Sequence, residues 1–222
     1  MPSRVDSIQL RNVSRFFGAT AALRRIDLTL VPGQIICVEG PNGAGKTTLL
    51  ALLATVLRPT SGVVSYQPLG ADLRQIRRHI GWLGHDSHCY RELTGRENVA
   101  LAAKLHGLDP EQAWSGVCDR LRMERFGDQP VGTLSRGQRQ RIALGRALVH
   151  RPSVLLLDEP LTGLDAASAQ RCEEVMLAEN SSGTIVVLVS HVVGLRERLN
   201  GRRVLIEEGR LRDDGSSIAV SG

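Results

Sequence analysis

Four residue types at fixed spacing carry the first chemistry of this chain. Gly40-Pro41-Asn42-Gly43-Ala44-Gly45-Lys46-Thr47-Thr48 follows the pattern G-x-x-x-x-G-K-[ST]. Glycines permit a tight turn in which successive backbone N–H groups converge on phosphate oxygens. A helix starting at the end of such a turn adds the positive end of its dipole. Lys46 brings a compact positive charge to the outer phosphates, and the Thr47 hydroxyl is a ligand for Mg2+. The chain has 28 Lys plus Arg, yet its only lysines are Lys46 and Lys104. Arginine serves elsewhere, and a planar guanidinium is no substitute for an ammonium inside a phosphate cradle. Chemistry, rather than charge balance, therefore demands Lys46.

A second pair of groups, Asp158 and Glu159, follows the apolar run Val154-Leu155-Leu156-Leu157. A carboxylate at the carboxyl end of a buried parallel strand faces the crevice where open α/β sheets bind ligands. Asp158 is placed to hold Mg2+, directly or through water. Glu159 is placed to accept a proton from an attacking water or to orient it. Alone, Asp158-Glu159-Pro160 reads as a strand end; the phosphate loop upstream favours the chemical reading. A third element, Leu134-Ser135-Arg136-Gly137-Gln138, has the form of a capping box from Ser135 to Gln138. A capped helix start that presents N–H groups and a hydroxyl is also an anion site.

These groups need a scaffold, and the pattern supplies one. The apolar run Gln34-Ile35-Ile36-Cys37-Val38-Glu39 predicts a buried strand before the loop, and residues 47–54 predict a helix after it. Alternation predicts strands over residues 8–13 and 26–30, with Phe16-Phe17-Gly18 between them. Arg58-Pro59-Thr60-Ser61-Gly62 is read as the end of the first helix, turning into a strand at residues 63–66. A helical piece at residues 73–78 and a strand at residues 80–83 follow. Residues 86–149 read as helices: a capping box Thr94-Gly95-Arg96-Glu97, a second helix capped by Asp109 with Pro110 at its first position, and the helix opened by Ser135. Strands return at residues 154–158, 184–189 and 203–206, with a helix capped by Asp165 between the first two. The expectation is one domain over residues 1–222, with a core at about 1–85 and 150–215, a helical insertion at about 86–149, and a frayed end at 215–222.

Composition excludes several classes. The 222 residues are 42% hydrophobic but only 3% aromatic, so stacking platforms for single-stranded nucleic acid are scarce. A net charge of +5, spread along the chain, suits a nucleotide pocket and a partner surface, and no nucleic acid is expected. Cys37, Cys89, Cys118 and Cys172 form no C-x-x-C pair, which fits reduced cytosolic thiols. No stretch has 18 apolar residues and no signal-peptide core is present, so membrane association is expected to come through a partner.

The phosphate loop, together with Leu134-Ser135-Arg136-Gly137-Gln138 about 20 residues before Asp158-Glu159, resembles the ATP-binding-cassette ATPases from about residue 8 to 215. The resemblance implies an α/β fold: a P-loop NTPase (RecA-like) core with an N-terminal antiparallel β subdomain and an inserted α-helical subdomain. It implies ATP and Mg2+ as cofactors, and ATP held between two head-to-tail nucleotide domains in a homodimer or heterodimer. In that arrangement Ser135, Gly137 and Gln138 act on the phosphate of the other copy. His191 matches the switch histidine at the γ-phosphate, Gly163-Leu164-Asp165 the loop that communicates across the dimer, and Phe17 the aromatic that stacks on adenine, with Phe16 its rival. The resemblance implies an ATPase subunit on the cytoplasmic face of the cell membrane, joined to an integral membrane subunit through a groove at about residues 86–98. It also implies weak activity as an isolated monomer.

The chain departs from the family at two places. Arg136 replaces the second signature glycine, and His85 stands where the family has a glutamine reaching Mg2+ and the attacking water. Imidazole is a poor Mg2+ ligand. Either His85 holds a water, or Asp86 reaches in; the former implies a pH-dependent activity near neutrality, which His85→Gln would remove. His85, His88 and Cys89 form a compact cluster that is either a metal or haem ligand set or a loop contacting the membrane subunit. The stretch Trp82-Leu83-Gly84-His85 with Glu92-Leu93-Thr94-Gly95-Arg96-Glu97-Asn98 is similar to the haem-exporter ATPase of cytochrome c maturation, although multidrug-type exporters share much of it. A non-transport cassette acting on nucleic acid or ribosomes would carry two cassettes, coiled coils or zinc modules, and none is visible.

Overall fold

The computed structural model describes residues 4–70, 72–84 and 87–212. His85, Asp86 and the expected frayed end at residues 215–222 lie outside them. Two sheets organise the rest. The first is a three-stranded antiparallel sheet of β1 (Ser7–Phe17), β2 (Thr20–Leu30) and β4 (Ser61–Gln67), with β1 in the middle. The second contains β3 (Ile35–Glu39), β5 (Ile80–Leu83), β6 (Val154–Asp158), β7 (Ile185–Val189), β8 (Arg202–Glu207) and β9 (Arg210–Arg212), ordered β5-β6-β7-β3-β8-β9. Its first five strands are parallel, and β9 pairs antiparallel at the edge. The parallel strands all end at one edge of the sheet, so the residues following β3, β6 and β7 gather there.

The continuous apolar runs become strands buried on both faces, as covering helices require. The period of two then divides them between two cores. Leu155, Leu157, Val186 and Leu188 face a core built with α3 (Gly95–Leu105), α4 (Pro110–Leu121), α5 (Arg136–Leu148) and α6 (Ala166–Ser181). Val154, Leu156, Ile185, Val187 and Val189 face the opposite core, shared with α1 (Lys46–Leu53) and the antiparallel sheet. The remaining short helices are α2 (Leu73–Arg77) and α7 (Leu195–Arg198).

Local cap chemistry is realised as the spacing predicts. Thr94 with Glu97 and Ser135 with Gln138 each form both bonds of a capping box. Asp109 and Asp165 accept from Gln112 N and Ser168 N. Two readings are corrected and one short strand is added. Phe16 and Phe17 belong to β1 rather than to a connection: register shifts and the left-handed Asn12 break the alternation that would have shown the strand continuing. The first helix ends at Leu53, not near Arg58, because Thr55 adopts φ 58 and turns the chain away. The edge strand β9 has three residues, too few for a pattern to show. Among the described residues, no helix is long and apolar enough to cross a membrane.

Candidate active site

Strand β3 delivers Gly40 to the sheet edge, and α1 begins at Lys46. The turn between them needs Gly45, whose φ is 109; a Cβ there would stand 2.8 Å from Leu23 Cδ2 and closer still to the Ala22 carbonyl oxygen. No side chain caps α1, which leaves its start to an anion. Ala44 is buried beneath the loop, while Pro41, Asn42 and Gly43 are exposed. Lys46, only 8% exposed, folds back over the turn: its Nζ donates to Gly40 O at 2.8 Å and to Pro41 O at 2.9 Å. The ammonium is thus held among the loop's own carbonyls.

Across the sheet edge, Asp158 is 4% exposed and its Oδ2 accepts from Thr47 Oγ1 at 2.9 Å. Glu159 has φ 53, in the left-handed region. Its Oε2 accepts from Thr162 Oγ1 at 3.3 Å. Its Oε1 is buried with no hydrogen-bond partner, and His191 Nε2 stands 3.5 Å away, too far to count as one. His191 itself is 62% exposed. Together these groups line a cleft of about 520 Å3 that contains Asn42, Gly43, Gly45, Lys46, Thr47 and Thr48 on one wall and Asp158, Glu159 and His191 on the other. Thr47 and Asp158 offer oxygen donors only, and the Glu159 carboxylate beside them has an unused oxygen; this set suits a hard divalent cation such as Mg2+.

Other expected residues lie elsewhere. Ser135, Gly137 and Gln138 form the start of α5 and do not line the cleft. Ser135 is exposed; its Oγ accepts from Gln138 N at 3.2 Å, so its own hydroxyl proton stays available to a further acceptor. Gly137 packs tightly on the loop after β6, where a Cβ would lie 3.2 Å from Gly163 O. Phe17 is 47% exposed, with the Arg15 guanidinium 4.6 Å from its ring centre, and it does not line the cleft. Of the His85, His88 and Cys89 cluster, the described part is the loop carrying His88 and Cys89. Arg146 Nη1 ties it to α5 by donating to Ser87 O at 3.2 Å and His88 O at 2.5 Å. Among the described residues no group of three or more metal-ligating side chains is assembled.

Sequence reasoning missed Thr162 and Gln140. Gln140 Nε2 donates to Glu159 O at 3.3 Å and Pro160 O at 3.2 Å. Nothing in the spacing announces either contact; the only signal is that Gln140 lies on the helix opened by Ser135, and Thr162 three residues beyond Glu159.

Residues 23–162 match the family described as ABC transporter. Over 179 residues the chain is 41% identical to the cytochrome c biogenesis ATP-binding export protein CcmA of Bordetella bronchiseptica, covering 78% of this chain and 79% of that protein. Over 219 residues it is 33% identical to the glutamine transport ATP-binding protein GlnQ of Escherichia coli, covering 94% and 91%. Its backbone is similar to the dimeric structure of a post-hydrolysis state of an ATP-binding cassette bound to ADP and Pi, with a TM-score of 0.82 and 27% identity over 93% of this chain and 97% of that one. From the phosphate loop at the end of β3 to the acidic pair at the end of β6, the chain belongs to the ABC transporter family and is an ATPase of that family.

Proposed function

We propose that two nucleotide domains, this chain and a second copy or close relative, close head to tail on two ATP molecules, and that closure and reopening drive a separate integral membrane subunit. The observation that carries this reading is the cleft itself. It gathers Lys46, Thr47, Asp158 and Glu159 on one chain, while the capped start of α5 does not line it and leaves Ser135 exposed.

In the closed pair, the loop N–H groups and Lys46 grip the phosphates, and Ser135, Gly137 and Gln138 of each copy face the terminal phosphate held by the other. Mg2+, when bound by Thr47 and Asp158, neutralises charge building on the phosphate oxygens. Glu159 orients the attacking water and takes its proton on Oε1, the oxygen left unpartnered. As the water oxygen bonds to the γ-phosphorus, the bond to the β–γ bridging oxygen breaks, giving ADP and phosphate. His191, whose Nε2 lies 3.5 Å from Glu159 Oε1, is assigned to the γ-phosphate. Phe17 at the end of β1 is assigned to the adenine ring.

For the membrane partner, the loop before α3 is held in shape from within. The buried Asn98 accepts from Tyr90 N at 2.8 Å and donates to Tyr90 O at 2.9 Å, and Tyr90 itself is 55% exposed. Association through this surface would hold the chain at the cytoplasmic face of the membrane. For cargo, the 41% identity to a cytochrome c biogenesis export protein supports haem export; the glutamine-transport relative makes another cargo or direction the competing outcome.

Affinity purification of the chain from its native membranes tests the reading. An integral membrane subunit should co-purify and raise ATP turnover, and deletion of the chain should deplete c-type cytochromes. A chain recovered without any membrane protein, turning over ATP at an unregulated rate, would overturn the transporter role; intact cytochromes would overturn the cargo alone.

A further inference from the structure

Asp158 and Glu159 are consecutive, and in a continuing strand consecutive side chains point to opposite faces. Both nevertheless line the same cleft. The left-handed conformation of Glu159, φ 53, makes this possible by turning the chain immediately after β6. A non-glycine residue in that region carries strain and persists only where its surroundings hold it. The holding contacts are specific. Glu159 N donates to Val189 O at 2.9 Å, which fixes the turn to β7. Glu159 O accepts from Thr162 N at 3.2 Å and from Gln140 Nε2 at 3.3 Å. Gln140 also grips Pro160 O at 3.2 Å, and Thr162 Oγ1 reaches the carboxylate at 3.3 Å.

We propose that Gln140 and Thr162 are positioning residues that hold Glu159 in its turned conformation with Oε1 free, and that Gln140 makes this conformation depend on how α5 is seated. The inference rests on the assignment of Glu159 as proton acceptor. Gln140 lies two residues past Gln138, on the same helix as the start assigned to the partner copy's phosphate. The helix start and the loop after Glu159 are packed without slack: a Cβ on Gly137 would lie 3.2 Å from Gly163 O and 3.2 Å from Leu164 Cδ2, and one on Gly163 would lie 2.5 Å from Arg136 Cδ. Contact this close gives a shift of the helix start a direct route to the loop. Seating α5 on the phosphate of one site bears, through Gln140, on the carboxylate of the other, so each site's base registers whether its neighbour is filled.

The test compares wild type, Gln140→Ala, Thr162→Ala, Thr162→Ser and Glu159→Gln in Mg-ATP turnover, ATP binding and thermal unfolding. The brace predicts a fall in kcat of about 10- to 100-fold for Gln140→Ala and Thr162→Ala, because small displacements of a reacting group cost that much. KM for ATP should stay within about threefold, since the phosphate loop is untouched. Thr162→Ser should recover most of the loss, and Gln140→Ala should bring the Hill coefficient of the rate in ATP down towards 1 with half-saturation little changed. Added to Glu159→Gln, Gln140→Ala should cost nothing further. Wild-type kcat in folded Gln140→Ala and Thr162→Ala, while Glu159→Gln is inactive, would overturn the brace and leave the base assignment standing. Parallel losses of kcat, ATP affinity and thermal stability, unrescued by Thr162→Ser, would reduce both residues to structural supports. Full turnover by Glu159→Gln would instead remove the base assignment on which the proposal stands.

Discussion

Thr47 Oγ1 donates a hydrogen bond to Asp158 Oδ2 at 2.9 Å across 111 residues of sequence. It joins the first residue after the phosphate-loop lysine to the last residue of β6, although β7 lies between β6 and β3 in the sheet. The bond fixes two oxygen donors side by side at the mouth of the cleft, where a hard cation would find them.

Asp158→Asn keeps the shape of this pair and removes its charge. Mg-dependent ATP hydrolysis should fall by about 100-fold, and half-saturation by Mg2+ should move to higher concentration. ATP binding measured without a divalent cation should change little. A variant that matches wild type in a Mg2+ titration of the rate would show that Asp158 serves Thr47 alone.

Glu159→Gln preserves size and removes the proton acceptor. Turnover should drop by at least about 100-fold while ATP is still bound. Because the closed pair is then not released by hydrolysis, ATP should shift the variant from monomer to dimer on size exclusion with light scattering. A variant that stays monomeric at saturating ATP would contradict the two-copy arrangement.

Ser135→Asp separates the cap from the anion site. Aspartate caps a helix as well as serine does, so the melting temperature should hold within a few degrees. A carboxylate at this exposed position would repel the partner's phosphate, and ATP-driven association in the Glu159→Gln background should be lost. If Ser135→Asp still dimerises with ATP, the start of α5 faces something other than phosphate.

A histidine group at the opposite end of the sheet sets an acid limit on stability. The His150 ring stacks on His106 at 3.8 Å, its Nε2 donates to Ile80 O at 3.1 Å, and its Nδ1 is buried without a partner. Burial first, then the neighbouring His106, hold its pKa down at about 4. His106 and His79 are lowered in the same direction, each chiefly by burial, with Arg78 adding to the first and Arg4 to the second. The unfolded chain, with an ordinary imidazole near 6.5, binds more protons between these values. Stability is therefore complete above about pH 6.5 and is lost as pH falls towards 4, by about 3 kcal/mol for His150. Urea denaturation from pH 7 to 4 should show this slope, and His150→Phe, which keeps the stack, should flatten it. An unchanged slope in His150→Phe would assign the acid sensitivity to other groups.

Much of the scaffold was legible because its causes are local. The runs that became β3, β6 and β7 are apolar throughout because both faces are covered, and their short length, with glycine beside β3 and β7 and proline on both sides of β6, separates them from helices. The caps at Thr94, Asp109, Ser135 and Asp165 each rest on atoms three residues apart. Phe16 and Phe17 were misplaced because bulges in β1 hide the strand's period, and α1 ends early because of a left-handed Thr55 that its residue type does not announce.

Residue types and short-range spacing supply the candidate chemistry: a loop of the phosphate-binding pattern with Lys46 in it, an acidic pair after a buried strand, and a capped helix start. These depend on residue type and on neighbours within one turn or one strand. Tertiary structure alone decided which of them meet. The strand order β5-β6-β7-β3 sets Asp158 against Thr47 and brings His191 beside Glu159, while a left-handed backbone held by Gln140 and Thr162 turns Glu159 into the same cleft. Such meetings come from long-range pairing and packing, whose free energy is shared over the whole core and leaves no mark in the spacing of the few residues that use it.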